Sequence, residues 1–224
     1  MPRKASKGGK RRHKHCCGKR AKKSRDGSSS STTGLAVVRV WIMGHSIVHW
    51  AGVRARESGM GPALGLPRHV HVSWFARRGM LWGELLPMVR TLMAREGPPS
   101  AIVIQLGEND LVSVGCLVLR SLILKDLEEL VSTLPTTKVF WSHFLQRRVW
   151  RDSHRPAATE SARKRVTAAA AHKVLSLGGA VIAHPEITFK AITLFRPDGV
   201  HLSPLGCDTW LQAVASNLKD GLGL

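Results

Sequence analysis

Short apolar runs alternate with longer segments of helical periodicity along most of this chain, and this alternation constrains the fold more than any other feature. The clearest run, residues 101–106 (AIVIQL), is almost wholly apolar and too short for a typical helix. Residues 118–134 instead repeat leucine and isoleucine at helical spacing. Apolar strands separated by helices are typical of a parallel sheet covered on both faces. The sequence therefore predicts a three-layer α/β/α sandwich with a mainly parallel, flavodoxin-like sheet.

The remaining elements follow from the same two periodicities. The predicted strands are residues 35–43, 69–75, 101–106, 138–144 and a short segment at 180–183. The predicted helices are residues 46 to about 56, 81–95, 118–134, 159–177 and 205–218. Residues 57–68 are rich in Gly and Pro, which predicts a loop.

The N-terminal segment has a different composition from the rest. Residues 1–33 contain twelve Lys and Arg against one acid, Asp26, so they carry +11 of the chain's net charge of +19. So polar a segment buries too little apolar surface to offset its ordering entropy. We therefore expect a disordered basic tail and linker over residues 1–34, and a folded domain over 35–224. Such a tail is typical of non-specific nucleic-acid binding, of a nuclear signal, or simply of a solubilising segment.

Cysteine usage and hydropathy indicate the compartment. The four cysteines (Cys16, Cys17, Cys116 and Cys207) show no disulfide framework, and the first residues lack the apolar core of a secretory signal. The longest apolar stretch, residues 112–124, is too short to span a membrane. We expect a protein that is intracellular, cytoplasmic or nuclear, and that has no membrane span.

Polar clusters follow the predicted strands at the edge where ligands bind in open parallel sheets. Residues 44–46 (GHS) come directly after the first strand, and residues 107–110 (GEND) come directly after the third. Residues 198–201 (DGVH) precede the last helix. Apolar strands need none of these groups in order to fold, so their common position predicts a shared site.

These clusters contain the residue types of nucleophilic ester cleavage. Ser46 at a strand-to-helix turn is a candidate nucleophile, and His201 is the base that a weakly nucleophilic hydroxyl requires. Asp198 is placed to fix the tautomer of His201 and to stabilise its imidazolium. Asn109 and the backbone N–H groups of Ser46 and Gly79 are candidate oxyanion donors.

In order and position these blocks resemble the SGNH (GDSL-like) hydrolase superfamily. The blocks, which span about residues 36–220, are Gly44-x-Ser46, Gly79, Gly107-x-Asn109-Asp110 and Asp198-x-x-His201. The resemblance implies a serine esterase that acts on small acyl or acetyl esters and needs no metal or organic cofactor. It also implies the roles of nucleophile for Ser46, oxyanion donors for Gly79 and Asn109, and remaining triad members for Asp198 and His201.

A narrower resemblance is to the SGNH-like domains encoded by vertebrate retroelements. The runs that carry it are VWIMGHSIVHWAG, SWFARRGMLWGELL, VIQLGENDL, RRVWR…ARKRV and LFRPDGVHLSPLG. This likeness implies that the chain is derived from a retroelement. The chain departs from the usual Gly-Asp-Ser block because position 45 is histidine. This change alters the turn that orients Ser46, and a bulky, titratable imidazole beside the nucleophile is expected to block or retune the site.

Several alternatives stay open at this stage. Ser46 is also a common helix N-cap, and 198–201 is also a typical turn. We assign Asp110 to capping the helix after the third strand. An SGNH fold without hydrolysis, recruited to nucleic acid by the basic tail, is the alternative function.

The aromatic and basic residues offer two further interpretations. The seven tryptophans are expected to pack in the core and at its rim rather than to stack on bases. Arg147, Arg148 and Arg151 surround Trp150 after the fourth strand, which is typical of either a solvated basic loop or a contact to phosphate or nucleic acid.

Overall fold

The computed structural model describes residues 36–224, so the predicted basic tail at residues 1–34 lies outside the described residues. The five strands within that range are β1 (Val38–Gly44), β2 (Val70–Ala76), β3 (Ala101–Gln105), β4 (Lys138–Ser142) and β5 (Ala180–Ile182). All five predicted strands are present. Their bounds differ from the prediction by at most three residues.

The strands form one sheet in the order β2-β1-β3-β4-β5, and every pair is parallel. This is the flavodoxin-like order, in which the carboxyl ends of β1 and β3 meet at the point where the chain reverses direction across the sheet. Gly44, the last residue of β1, pairs with Gln105, the last residue of β3. The segments that follow these two strands therefore start side by side.

Five α-helices within residues 36–224 connect and cover the strands. They are α1 (Ser46–Glu57), α2 (Leu85–Glu96), α3 (Cys116–Thr133), α4 (Pro156–Ser176) and α5 (Pro204–Leu222). The helix predicted from residue 81 begins with a 3-10 turn at Trp82–Glu84 and becomes α-helical at Leu85. Pro87 lies in the first turn of α2, where its missing N–H costs no intrahelical hydrogen bond. Pro156 and Pro204 likewise open α4 and α5.

The sheet separates two hydrophobic cores. Val40 and Ile42 of β1 pack with α1 and α5 on one face, whereas Trp41 and Met43 pack with α2, α3 and α4 on the other. Successive strand residues point to opposite faces, so both faces of β1 are covered. The predicted three-layer α/β/α sandwich is confirmed. Core packing is also confirmed for the four tryptophans that are almost fully buried, Trp41, Trp82, Trp141 and Trp210.

Hydropathy along the helices gives one further finding. Within residues 36–224, no helix combines the length and the apolar character needed to cross a membrane.

Candidate active site

Three of the predicted residues form one hydrogen-bonded line. His201 Nε2 lies 3.1 Å from Ser46 Oγ, and His201 Nδ1 lies 2.7 Å from Asp198 Oδ2. The carboxylate accepts from Nδ1–H, so the unprotonated Nε2 faces the hydroxyl and can accept its proton. Ser46 and His201, 155 positions apart in the sequence, thus lie in hydrogen-bonding contact, with Asp198 on the far side of the imidazole.

The turn between β1 and α1 positions Ser46. A Cβ at Gly44 would lie 2.1 Å from the carbonyl oxygen of Gln105, so only glycine allows β1 to approach β3 this closely. His45 is the N-cap of α1, and its Nδ1 accepts a 3.3 Å hydrogen bond from Ile47 N–H. The interpretation of Ser46 as the N-cap is therefore wrong. Ser46 is the first residue of α1, and its hydroxyl lines a cavity.

A tight turn positions Asp198 and His201. Oδ1 of Asp198 accepts hydrogen bonds from the backbone N–H groups of Val200 and His201, each at 2.9 Å, which leaves Oδ2 for the imidazole. Burial opposes ionisation of this carboxyl group, but the hydrogen bonds from the ring and backbone of His201 and from Val200 outweigh it and lower the pKa of Asp198 to about 2. Residues 198–201 therefore form a turn, as one interpretation of the sequence predicted. The same turn places the imidazole of His201 between Asp198 and Ser46.

The two other candidate oxyanion donors lie in the same cavity as Ser46 and His201. Gly79 adopts a left-handed conformation with φ of 77°, and no acceptor within residues 36–224 bonds its backbone N–H. Asn109 is oriented from both ends, since its Nδ2 donates to Met80 O at 3.1 Å and its Oδ1 accepts from Arg147 at 3.0 Å. One amide hydrogen of Asn109 remains after these contacts.

The cavity in front of Ser46 has a volume of about 490 Å³, within the range of small-molecule sites. Four arginines line it together with the site residues, namely Arg78, Arg147, Arg151 and Arg196. Arg151 also forms an ion pair with Asp198 at 3.6 Å.

His45 points away from this cavity. It is fully buried, and its Nε2 lies 2.6 Å from Oε2 of Glu108, which is buried as well. Because Nδ1 accepts from Ile47 N–H, the proton of the neutral ring belongs on Nε2, where it is donated to the carboxylate. Burial raises the pKa of Glu108. The contact with His45 and the nearby positive charge of Arg147 lower it by more than burial raises it, so the net shift is downward and the carboxyl group is ionised.

The buried pair belongs to a longer polar network beneath the site. Gln105 donates through its amide to Glu108 Oε1 and accepts through Oε1 from Ser142 Oγ and from Trp210 Nε1. Ser142 Oγ lies 2.7 Å from His184 Nε2. The network thus runs across the carboxyl ends of β1, β3 and β4 and fixes α1 to the sheet.

Sequence reasoning missed two features of the site and misassigned a third. It gave no role to Glu108. The signal was present, because His45 and Glu108 follow two strands whose carboxyl ends are expected to meet, and a histidine and a glutamate placed there can form a buried pair. It had no signal for Arg196. Asp110 does not cap its own helix as predicted; its Oδ2 accepts from the backbone N–H of Trp82 at 3.0 Å, since that amide precedes α2 and lacks an intrahelical acceptor.

Comparisons with known proteins show similarity of fold without similarity of sequence. No family model and no curated protein matches the chain. A GDSL-like lipase from Bacteroides thetaiotaomicron superposes with a TM-score of 0.63 at 18% identity, over 81% of this chain and 88% of that one. A lipase/acylhydrolase from Enterococcus faecalis gives 0.61 at 17% identity, over 82% and 96%.

A third neighbour is a psychrotrophic esterase from Pseudoalteromonas in a structure inhibited by monoethylphosphonate, with a TM-score of 0.59 and 12% identity over 83% of this chain and 99% of that one. Identities this low establish the fold alone. The all-parallel five-stranded sheet, its covering helices and these neighbours agree, so the chain has the α/β fold of the SGNH hydrolases.

Proposed function

We propose that this protein is a serine ester hydrolase of the SGNH type that cleaves small acyl or acetyl esters through an acyl-enzyme. The observation that carries the proposal is the line from Ser46 Oγ through His201 to Asp198, which opens onto a cavity large enough for a small ester. The hydrolase names of the structural neighbours support it.

Acylation begins when Ser46 Oγ attacks the carbonyl carbon of the ester while His201 Nε2 takes its proton. The carbonyl oxygen becomes an oxyanion, which the N–H groups of Ser46 and Gly79 and the amide of Asn109 stabilise. The tetrahedral intermediate then expels the alcohol, which leaves with the proton from His201. Water repeats these steps on the acyl-enzyme and releases the acid. Asp198 holds the ring and stabilises its charged form throughout.

The histidine at position 45 is compatible with this mechanism. Its ring is sealed beneath α1 against Glu108 and does not enter the cavity. It caps the helix that carries Ser46, so it acts as a positioning residue rather than as an obstruction.

Hydrolysis of 4-nitrophenyl acetate by the full chain tests the proposal. We expect turnover by the wild type and its loss in Ser46→Ala. Ser132→Ala is the matched control because Ser132 is exposed on α3, where its hydroxyl bonds only Glu129 O. Equal turnover by the wild type and Ser46→Ala would overturn the assignment of the nucleophile, and folded protein without any turnover would count against esterase activity.

A retroelement origin with nucleic-acid binding through residues 1–33 is the second part of the proposal. Its support is the charge of +11 in this segment and the resemblance of the sequence runs given above. A segment this basic binds nucleic acid by releasing condensed counterions, so affinity falls steeply with salt. We expect the full chain to bind unrelated DNA and RNA alike. Loss of that binding on deletion of residues 1–33 checks the assignment, and unchanged binding would contradict it.

A further inference from the structure

We propose that the ester hydrolysed at this site is anionic, with a phosphate or carboxylate group next to the scissile bond. This inference rests on the proposed esterase function and adds the class of substrate. It starts from the charge of the cavity wall, which contains four arginines and one acid, Asp152. Arg151 is also paired with Asp198, so the excess positive charge comes from the other three arginines. An excess of one sign of charge raises the local concentration of substrates of the opposite sign.

Arg196 has the geometry of an anion receptor. Its guanidinium carbon lies 4.2 Å from the ring centroid of Trp50, and its Nε donates to Leu202 O at 3.1 Å. These two contacts fix the plane of the guanidinium group, and no carboxylate within residues 36–224 forms an ion pair with it. The terminal nitrogens therefore remain available in the cavity, in the fork arrangement that binds phosphate and carboxylate.

Arg147 is a second receptor, in contact with the candidate oxyanion donor Asn109. It donates to Asn109 Oδ1 at 3.0 Å and lies over the ring of Trp150, with 5.2 Å between the guanidinium carbon and the ring centroid. Burial lowers the pKa of this guanidinium and the nearby charge of Glu108 raises it, so a positive charge is held in a partly dry wall beside Asn109. An anionic group bound there would accept the hydrogen bonds that the guanidinium group of Arg147 would otherwise donate to water.

The two receptors occupy different walls of the cavity. Arg196 precedes the 198–201 turn, whereas Arg147 lies in the loop after β4. Backbone N–H groups of Arg148 and Val149 both donate to Gly199 O, at 2.9 and 3.1 Å, and join the loop to that turn. The joined segments surround Ser46 and His201, so an anion held by either arginine lies close to the nucleophile.

This arrangement favours a small anion over a nucleic-acid backbone. Arg147 and Arg196 each lie over a tryptophan beside a half-open cavity of about 490 Å³, rather than along an exposed stripe. A cavity of this volume suits a ligand of drug size. The sequence alone left open whether the arginines around Trp150 form a solvated loop or a phosphate contact, and the placement of Arg147 supports the contact.

Paired esters test the proposal with the full chain. The first pair is the 4-nitrophenyl half-ester of succinic acid and its methyl ester, which place a carboxylate or no charge in the acyl part. The second pair is 4-acetoxyphenyl phosphate and 4-methoxyphenyl acetate, which place a phosphate or no charge in the leaving part. We expect kcat/KM to favour the anionic member of at least one pair, and the preferred pair identifies the side and the group.

Substitutions connect that preference to the cavity. Arg196→Gln should reduce the ratio of anionic to neutral kcat/KM about tenfold, because one charged hydrogen-bond donor is lost. Arg165→Gln is the matched control, since it removes the same charge from an exposed position on α4 outside the cavity. Equal kcat/KM within both pairs, or an equal loss of preference in the control, would overturn the proposal.

A binding measurement separates this proposal from the proposed function. Calorimetric titration of Ser46→Ala with phenylphosphonate needs no turnover. We expect binding, with affinity reduced about tenfold when Arg196→Gln is added. Absence of binding would overturn the anionic preference whether or not esters are cleaved. Binding by a protein that cleaves none of the four esters would support the anion site and reject the esterase.

Discussion

Two histidine–carboxylate pairs lie at the same edge of the sheet, and they differ in what the second nitrogen of the ring can do. His201 contacts Asp198 at 2.7 Å through Nδ1, and His45 contacts Glu108 at 2.6 Å through Nε2. The first pair is partly open, with side chains 23% and 25% exposed, whereas the second pair is sealed at 0% and 1%.

The difference shows that a hydrogen-bonded histidine and carboxylate are not by themselves a catalytic feature. His201 keeps an unprotonated Nε2 against a hydroxyl in a cavity, so it can receive and return a proton. Both nitrogens of His45 are occupied, one by Glu108 and the other by Ile47 N–H. We therefore expect the first pair to govern activity and the second to govern stability.

The largest expected effect is on catalysis, and it separates the two pairs. His201→Ala should lower kcat/KM for 4-nitrophenyl acetate about a thousandfold or more, because the hydroxyl of Ser46 loses its base. The free energy of unfolding should change by less than about 1 kcal/mol, since Asp198 retains its bonds to backbone N–H groups. Steady-state kinetics and urea unfolding measure both quantities. A large loss of stability with activity retained would contradict the assignment.

The second effect is on stability. His45→Ala removes the partner of a buried carboxylate and should reduce the free energy of unfolding by about 3–5 kcal/mol. Adding Glu108→Gln should recover part of that loss, because no unpaired charge is then buried. Urea denaturation of His45→Ala, Glu108→Gln and the double variant measures the recovery. If the double variant loses as much as the sum of the single variants, the two residues are not coupled.

The third effect concerns pH at the far end of the buried network. Burial, together with the nearby His143, lowers the pKa of His184 to about 3, whereas the unfolded chain takes up this proton near pH 6.5. The contribution of His184 to the free energy of unfolding is therefore present above pH 6.5 and is lost as the pH decreases below that value. The free energy of unfolding should fall by about 2 kcal/mol between pH 7 and pH 5.

Urea unfolding at the two pH values measures this loss. The loss should be smaller in His184→Gln, where His143, whose pKa burial also lowers, still contributes. It should persist in His172→Gln, because His172 is an exposed residue of α4. An identical pH dependence in the wild type and in His184→Gln would show that the buried imidazole does not remain neutral.

The smallest expected effect tests the open side of the site. Gly79 has φ of 77° and nothing within 4 Å of an added Cβ, so Gly79→Ala introduces backbone strain of about 1 kcal/mol without a clash. Relief of that strain would displace the backbone N–H and lower kcat about tenfold. Gly83→Ala, which also has free space for a Cβ, is the control for stability and kcat. An unchanged kcat in Gly79→Ala would show that the backbone N–H of Gly79 does not stabilise the oxyanion.

Local sequence signals were sufficient to predict the fold and to predict that Ser46, His201 and Asp198 lie together. The apolar run at 101–106 predicted β3, and polar blocks directly after strands predicted where side chains would meet. These signals work because the carboxyl ends of parallel strands meet at one edge whatever the loops do. Ser46, Asp198 and His201 come together for this reason.

The remaining parts of the site depend on contacts that sequence spacing does not encode. The pairing of His45 with Glu108 requires the register that places Gly44 beside Gln105. Arg196 lies in the cavity wall because Leu202 O and the ring of Trp50 hold its guanidinium group there. Loop shape is set by such tertiary contacts rather than by periodicity, so the sequence left the role of Arg147 and Arg151 open and gave no signal for Arg196.

Covalent labelling is a direct test of whether His201 activates Ser46. The purified chain of residues 1–224 would be treated with a fluorophosphonate, and the modified residue would be located by peptide mass spectrometry. We expect an adduct on Ser46 that is lost in Ser46→Ala, forms much more slowly in His201→Ala and is retained in Ser132→Ala. Folded wild type that stays unlabelled, or His201→Ala labelled at the wild-type rate, would contradict it.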